Sequence, residues 1–312
     1  MSAARCVVFG TGRVAGGFLA PLLRAEGWET ILVGRNPEII EAIKTGRGLW
    51  LNVAGEPSDW IGGVRAVSLE DPSLPGIVAE ADLVATAVGP SSLHEVGRVL
   101  APMLQARLQT CGDPVNIVAF ENHRRAPEIL TRGLLQECAP LAEHIGRRIG
   151  VGGAAVWRAI SHRKITPSGV RYDANGVDEC YVDEATLVPG APLDGSIPGL
   201  ELVRAFEDRI VEKLWVFNAG HAAAAYLGWH AGCETIQEAM AHEQRRSSPD
   251  SRGTPRRRRH VGGANALVVQ FLREGLRPCY ASRLFSFPVS RTHTPARPQG
   301  NQPAGQSVWR AH

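Results

Sequence analysis

The sequence predicts an α/β protein, a Rossmann-like doubly wound parallel sheet followed by a mostly helical second domain. Three observations carry this reading. A short apolar strand near the N-terminus runs straight into a glycine-rich turn and an apolar helix. Further apolar segments of strand length recur and close on small or polar residues. After Ile197-Pro198-Gly199 the pattern becomes helical.

The first strand, Cys6 to Phe9, enters Gly10-Thr11-Gly12-Arg13-Val14-Ala15, a G-x-G-x-x-A turn. In such a turn Gly10 makes the tight bend and Gly12 lets backbone N–H groups approach a pyrophosphate. The small Ala15 lets the helix pack closely on the strand. A second strand, Thr30 to Val33, follows at the spacing of a dinucleotide-binding unit. An acid closing that strand would hold a ribose 2′-hydroxyl, but here it closes on Gly34 and Arg35. A guanidinium beside the missing carboxylate accommodates a 2′-phosphate, so the expectation is NADP or NAD with NADP favoured.

Ala81 to Pro90 reads as a buried strand ending in the small-residue turn Thr86-Ala87-Val88-Gly89-Pro90, and Val115 to Asn122 as another. Both end on the side where ligands bind in open parallel sheets. Thr86, Val88 and Gly89 are therefore expected to line the dinucleotide, and Asn122 to reach the reacting carbon. His123, Arg124 and Arg125 open the next segment as a basic cluster, which suits an anionic group or simply a solvated helix start. Residues 161–192 read as extra strands extending the first lobe, with a turn across Val170 to Gly176. This sets the first domain at residues 1–196.

The second domain begins within residues 197–240. Only three of the 34 Lys and Arg residues are lysine, and one of them, Lys213, lies in a strongly apolar stretch. On an ideal α-helix Lys213, His221 and Asn218 fall at roughly 0°, 80° and 140°, on one side over about two turns. A buried amine is disfavoured in its charged form, which brings its pKa toward the range useful for proton exchange. The alternative is a lysine whose stem packs while its head reaches solvent, beside a helix irregularity at Gly220.

These segments together resemble the polyol dehydrogenase family that includes the long-chain mannitol and mannitol-1-phosphate dehydrogenases. The resemblance spans residues 5 to about 240. It is densest in Ile197-Pro-Gly-Leu-Glu201, Glu212-Lys213-Leu214, Asn218-x-Gly220-His221-Ala222, Tyr226-Leu-Gly228 and Ala231-Gly-x-x-Thr235-Ile236, with Thr86 to Pro90 and Glu121-Asn122 also matching. It implies a metal-independent hydride transfer between a nicotinamide cofactor and a polyol or ketose, phosphorylated or not. Lys213 would be the general acid/base, with Asn122, Asn218 and His221 holding the substrate oxygen and Arg125 and Arg158 near a substrate phosphate. Two positions depart from the family pattern, Trp157 standing where an Asp usually precedes Arg158 and Gly34 where a cofactor-selecting Asp stands. A relic of the family that binds a dinucleotide without turnover, and an enzyme of the ketopantoate-reductase type, are the other readings.

Cys6, Cys111, Cys138, Cys180, Cys233 and Cys279 are scattered without metal-ligand spacing, which fits a reducing cytoplasm and no metal. The N-terminus enters the first strand without room for a signal peptide, and no apolar run approaches a membrane span. Residues 241–312 differ from the rest. They hold 13 arginines, no lysine, three acids and seven prolines. Such a segment reads either as out-of-frame text of a GC-rich gene or as a disordered tail. It lacks the aromatic interleaving of a nucleic-acid-binding arm, so no nucleic-acid partner is expected.

Overall fold

Alternation within the first strand already dictates a layered structure. In β1 (Arg5–Phe9) Cys6 and Val8 point to one face and Val7 and Phe9 to the other, and all four are buried. The computed structural model describes residues 3–53, 56–110, 113–193, 197–230, 232–233 and 238. The Arg- and Pro-rich segment 241–312 lies outside the described residues, as do Thr235 and Ile236.

After β1 the glycine turn leads into a helix that opens as a π-turn over Ala15–Leu19 and continues as α1 (Ala20–Ala25). β2 (Glu29–Gly34) follows, and then α2 (Pro37–Gly46), whose Asn36 cap accepts the Glu38 and Ile39 N–H groups at 2.9 and 3.2 Å. Three strands come next: β3 (Gly48–Val53), β4 (Asp59–Gly62) and β5 (Val64–Ser68). The alternation then resumes with α3 (Leu74–Ala79), β6 (Leu83–Thr86), α4 (Leu93–Thr110), β7 (Val115–Ala119), α5 (Ala126–Glu137) and β8 (Ile149–Val156). The described chain closes with β9 (Ile160–Thr166), β10 (Gly169–Ala174), β11 (Cys180–Asp183), β12 (Leu200–Val203), α6 (Phe206–Val211), a π-helix (Glu212–Asn218) and α7 (Ala219–His230).

The main sheet has the order β12-β11-β8-β7-β6-β1-β2-β5. From β8 to β5 every neighbouring pair is parallel, while β11 runs antiparallel to β8. One apolar core lies between this sheet and α3, α4 and α5. The other lies against α1 and the second sheet, whose order is β4-β3-β10-β9.

Three expectations change. Val170 to Gly176 is not a turn, because Val170, Tyr172 and Ala174 alternate into the core and make β10 the partner of both β3 and β9; only Asn175 and Gly176 leave the ladder. The strands after Ser161 do not all extend the first sheet, since β9 and β10 build the second sheet and only β11 and the later β12 return to the first. Leu200 to Val203 is a strand rather than helix, held by parallel pairing to β11, so helix begins only at Phe206. In each case long-range pairing decided what local pattern left open.

Candidate cofactor and proton-transfer site

The carboxyl ends of β1, β2 and β6 surround a cavity of about 510 Å³. Its lining includes Gly10, Gly12, Gly34, Arg35 and Val88, five of the residues expected at a dinucleotide. Gly10 has φ 133°, and a Cβ there would stand 2.4 Å from the Ala87 carbonyl oxygen. Only glycine fits where the turn crosses the strand end so closely. Ala15 is fully buried under the turn, in the core rather than in the cavity wall. Gly34 is packed against Thr11, where a Cβ would meet Thr11 Cγ2 at 2.6 Å, so Thr11 already fills the space an acid would need. Sequence reasoning missed Thr11, Asn36, Ser91, Ser92 and Arg163 as lining residues. Arg163 comes from β9, and nothing local in its strand signals that destination.

Thr86 does not line the cavity. It is fully buried and donates its hydroxyl to Glu121 at 2.9 Å. Glu121 also accepts the Val88 N–H at 2.9 Å and the Gly89 N–H. The carboxylate thus fixes the turn after β6 from the end of β7. Burial raises the Glu121 carboxyl to about 6, against the lowering effect of its hydrogen bonds. Its signal in the sequence was an acid ending an otherwise buried strand. Next to it, half-buried Asn122 accepts the Val156 N–H at 3.2 Å, which ties the end of β7 to the end of β8.

Trp157, which follows Val156, is the floor of the second group. Phe217 meets it edge-on at 5.4 Å, and Lys213 Nζ lies 5.4 Å from the Trp157 ring and 3.2 Å from the Phe217 ring. Lys213 is 2% exposed. Among the described residues no carboxylate lies within ion-pair distance of its amine, and burial holds its pKa well below the ordinary lysine value. The two rings favour the ammonium, whereas burying a cation costs several kcal/mol, and burial is what lowers the amine's pKa. His221 stacks on the same Phe217 at 5.1 Å, and burial first, then Lys213, push its pKa down.

The amine and the imidazole are therefore brought together around Phe217. The ideal-helix angles do not apply, because Glu212–Asn218 is a π-helix and Lys213 and Asn218 stand one wide turn apart. Asn218 is half-buried there. The buried Lys213 head also rules out the reading in which it reaches solvent.

The two arginines expected near a substrate phosphate part company. Arg158 is 8% exposed and gives its guanidinium to the Val177 and Gly17 carbonyls at 3.0 and 3.2 Å and to Asp178. It is a structural cross-link, and with its donors engaged it is not presented to a ligand. Arg125 stays exposed at the start of α5, while its neighbour Arg124 pairs with Glu207 on α6. Among the described residues no group of three or more His, Cys, Asp or Glu is placed to hold a metal ion, and no described helix is long and apolar enough to cross a membrane.

A parallel sheet with a glycine-turn cavity at the carboxyl ends of its central strands defines a Rossmann-type dinucleotide-binding fold. Residues 4–175 match the family model of the mannitol dehydrogenase Rossmann domain, and the chain belongs to that family. It is 30% identical over 245 residues to a mannitol-1-phosphate 5-dehydrogenase of Brevibacillus brevis, covering 76% of this chain and 62% of that protein. A mannitol-1-phosphate 5-dehydrogenase of Geobacillus thermodenitrificans is likewise 30% identical over 246 residues, with 76% and 62% covered. The chain thus spans less than two thirds of the length of the curated relatives it matches. Among solved structures it is similar to Pseudomonas fluorescens mannitol 2-dehydrogenase, with a TM-score of 0.65, 12% identity, and coverage of 87% of this chain and 69% of that one. At that identity the likeness is one of fold.

Proposed function

We propose that the chain is a nicotinamide-linked polyol or polyol-phosphate dehydrogenase in which Lys213 is the general acid/base and no metal is required. The observation that carries this is the buried Lys213 amine, which has no carboxylate partner among the described residues and whose pKa burial lowers beside His221. A group with no ion pair and a strongly lowered pKa is unusual for structure and useful for proton transfer. The cavity fits a dinucleotide because Gly10, Gly12 and Gly34 in its wall carry no side chain, which lets a phosphate approach the main chain there.

When bound, the nicotinamide dinucleotide supplies the hydride chemistry. In polyol oxidation Lys213 Nζ takes the hydroxyl proton as the C–H bond gives up its hydride, leaving a carbonyl and an ammonium. In ketose reduction the ammonium returns that proton to the forming alkoxide. Asn122 and Asn218 donate amide hydrogens to the developing oxyanion, an interaction often worth about 3 kcal/mol per donor. His221, kept neutral by burial, orients the substrate hydroxyl. Arg35 at the cavity favours NADP(H) over NAD(H), and exposed Arg125 is the cation for a substrate phosphate.

The test is turnover of mannitol, mannitol 1-phosphate and the corresponding ketoses with either cofactor. Dinucleotide binding without turnover would support a second reading, a chain that binds cofactor but does not react. One observation favours it: Trp215, Tyr226 and Trp229 are 66%, 70% and 56% exposed on the last described helices, an apolar surface that no described element covers. Absence of dinucleotide binding would overturn both readings.

A further inference from the structure

Arg163 stands in the cavity wall, yet it comes from the second sheet. Its Nη1 donates to the Thr11 carbonyl at 3.1 Å, and the Tyr172 hydroxyl from β10 donates to the same oxygen at 3.1 Å. The second sheet therefore grips the glycine turn at Thr11. Thr11 in turn fills the space over Gly34, so the grip sets Arg163 beside the Gly34-Arg35 end of the cavity. Among the described residues no carboxylate pairs with Arg163, and Glu95, the acid in the same wall, faces Arg98 at 3.3 Å. One donor is anchored, which leaves the rest of the guanidinium fork for an anion.

We infer that Arg163 and Arg35, from opposite sheets, form a clamp for the 2′-phosphate of NADP(H), with Arg163 as a specificity-determining residue. This rests on the cavity being a dinucleotide site. Two guanidinium groups outweigh the single acid in the wall, and the Thr11 anchor limits the side-chain freedom that Arg163 loses on binding. The clamp reads the phosphate ester and nothing on the nicotinamide half, so its effect is on affinity.

The experiment is calorimetric titration of the full chain with NADPH, NADH, 2′,5′-ADP and 5′-AMP. Arg163→Ala should weaken NADPH and 2′,5′-ADP about tenfold or more and leave NADH and 5′-AMP within about twofold, with Arg163→Lys between. Retained NADH binding doubles as the check that the variant is folded. Lys164→Ala, which removes a neighbouring exposed charge outside the cavity wall, should change neither pair. Equal losses for phosphorylated and unphosphorylated ligands, or no loss, would overturn the clamp while leaving the cavity reading intact. A wild-type chain that binds none of the four ligands would overturn the cavity reading and the clamp with it.

Discussion

The cavity at the ends of β1, β2 and β6 and the Lys213 cluster after β8 are built on opposite principles. In the first, the decisive features are main-chain ones: a glycine at φ 133°, strand ends within van der Waals reach, and N–H groups fixed by Glu121. In the second, a polar atom is made special only by what surrounds it, two aromatic rings and a histidine, with no carboxylate partner among the described residues. Backbone geometry tolerates variation in nearly every side chain except glycine, whereas the amine site depends on each ring that excludes water. Binding and chemistry should therefore be separable by mutation.

The largest effect that could break this separation is at Lys213. Lys213→Ala should lower kcat by about two orders of magnitude or more while leaving dinucleotide affinity within about twofold. Steady-state rates beside cofactor titration would show it, and loss of cofactor binding would mean the two regions are one. Gly10→Ala tests the converse. It forces a Cβ to within 2.4 Å of the Ala87 oxygen in a backbone region costly for L-residues, and should weaken both NADH and NADPH at least about tenfold. Unchanged affinity would show that the turn is not where the cofactor sits.

Smaller effects sharpen the contrast. Arg35→Ala should reduce NADPH affinity about tenfold with little change for NADH, measured by nicotinamide fluorescence; equal changes would remove Arg35 from cofactor selection. Lys213 should also leave a signature in stability. Its folded pKa is depressed below the unfolded value of about 10.4, so between the two the unfolded chain binds the extra proton, and stability rises with pH through that window. Below the folded pKa the gain is absent. Lys213→Met should erase a slope of at most about 1.4 kcal/mol per pH unit, read from denaturant midpoints stepped down in pH from about 10. A variant with the same slope as the parent would mean the amine is not buried unpaired.

Much of the cofactor side was legible because its signals are short-range. Gly10, Gly12, Gly34, Arg35 and Val88 lie within three strand–turn units, and each lines the cavity. Thr86 was misplaced because a buried hydroxyl follows its acceptor, and Glu121, its partner, is 35 residues away. Arg158 was misplaced for the same reason, its contacts being Gly17, Val177 and Asp178. The extra strands were half legible. Alternation at Val170, Tyr172 and Ala174 was visible, but only pairing with β3, more than a hundred residues earlier, tells a strand from a turn there.

The sequence by itself determined the parallel sheet, the glycine turn and the missing acid at Gly34, because alternation and glycine conformation act between residues adjacent in the chain. It also singled out Lys213, since an amine inside an apolar stretch is anomalous before anything is folded. Tertiary structure alone decided that this amine is 2% exposed with no carboxylate partner among the described residues, that Glu121 holds the turn after β6, and that Arg163 reaches Thr11 across 152 positions. Burial, charge pairing and cross-sheet contact depend on which distant segments meet. A single sequence carries no local trace of that meeting.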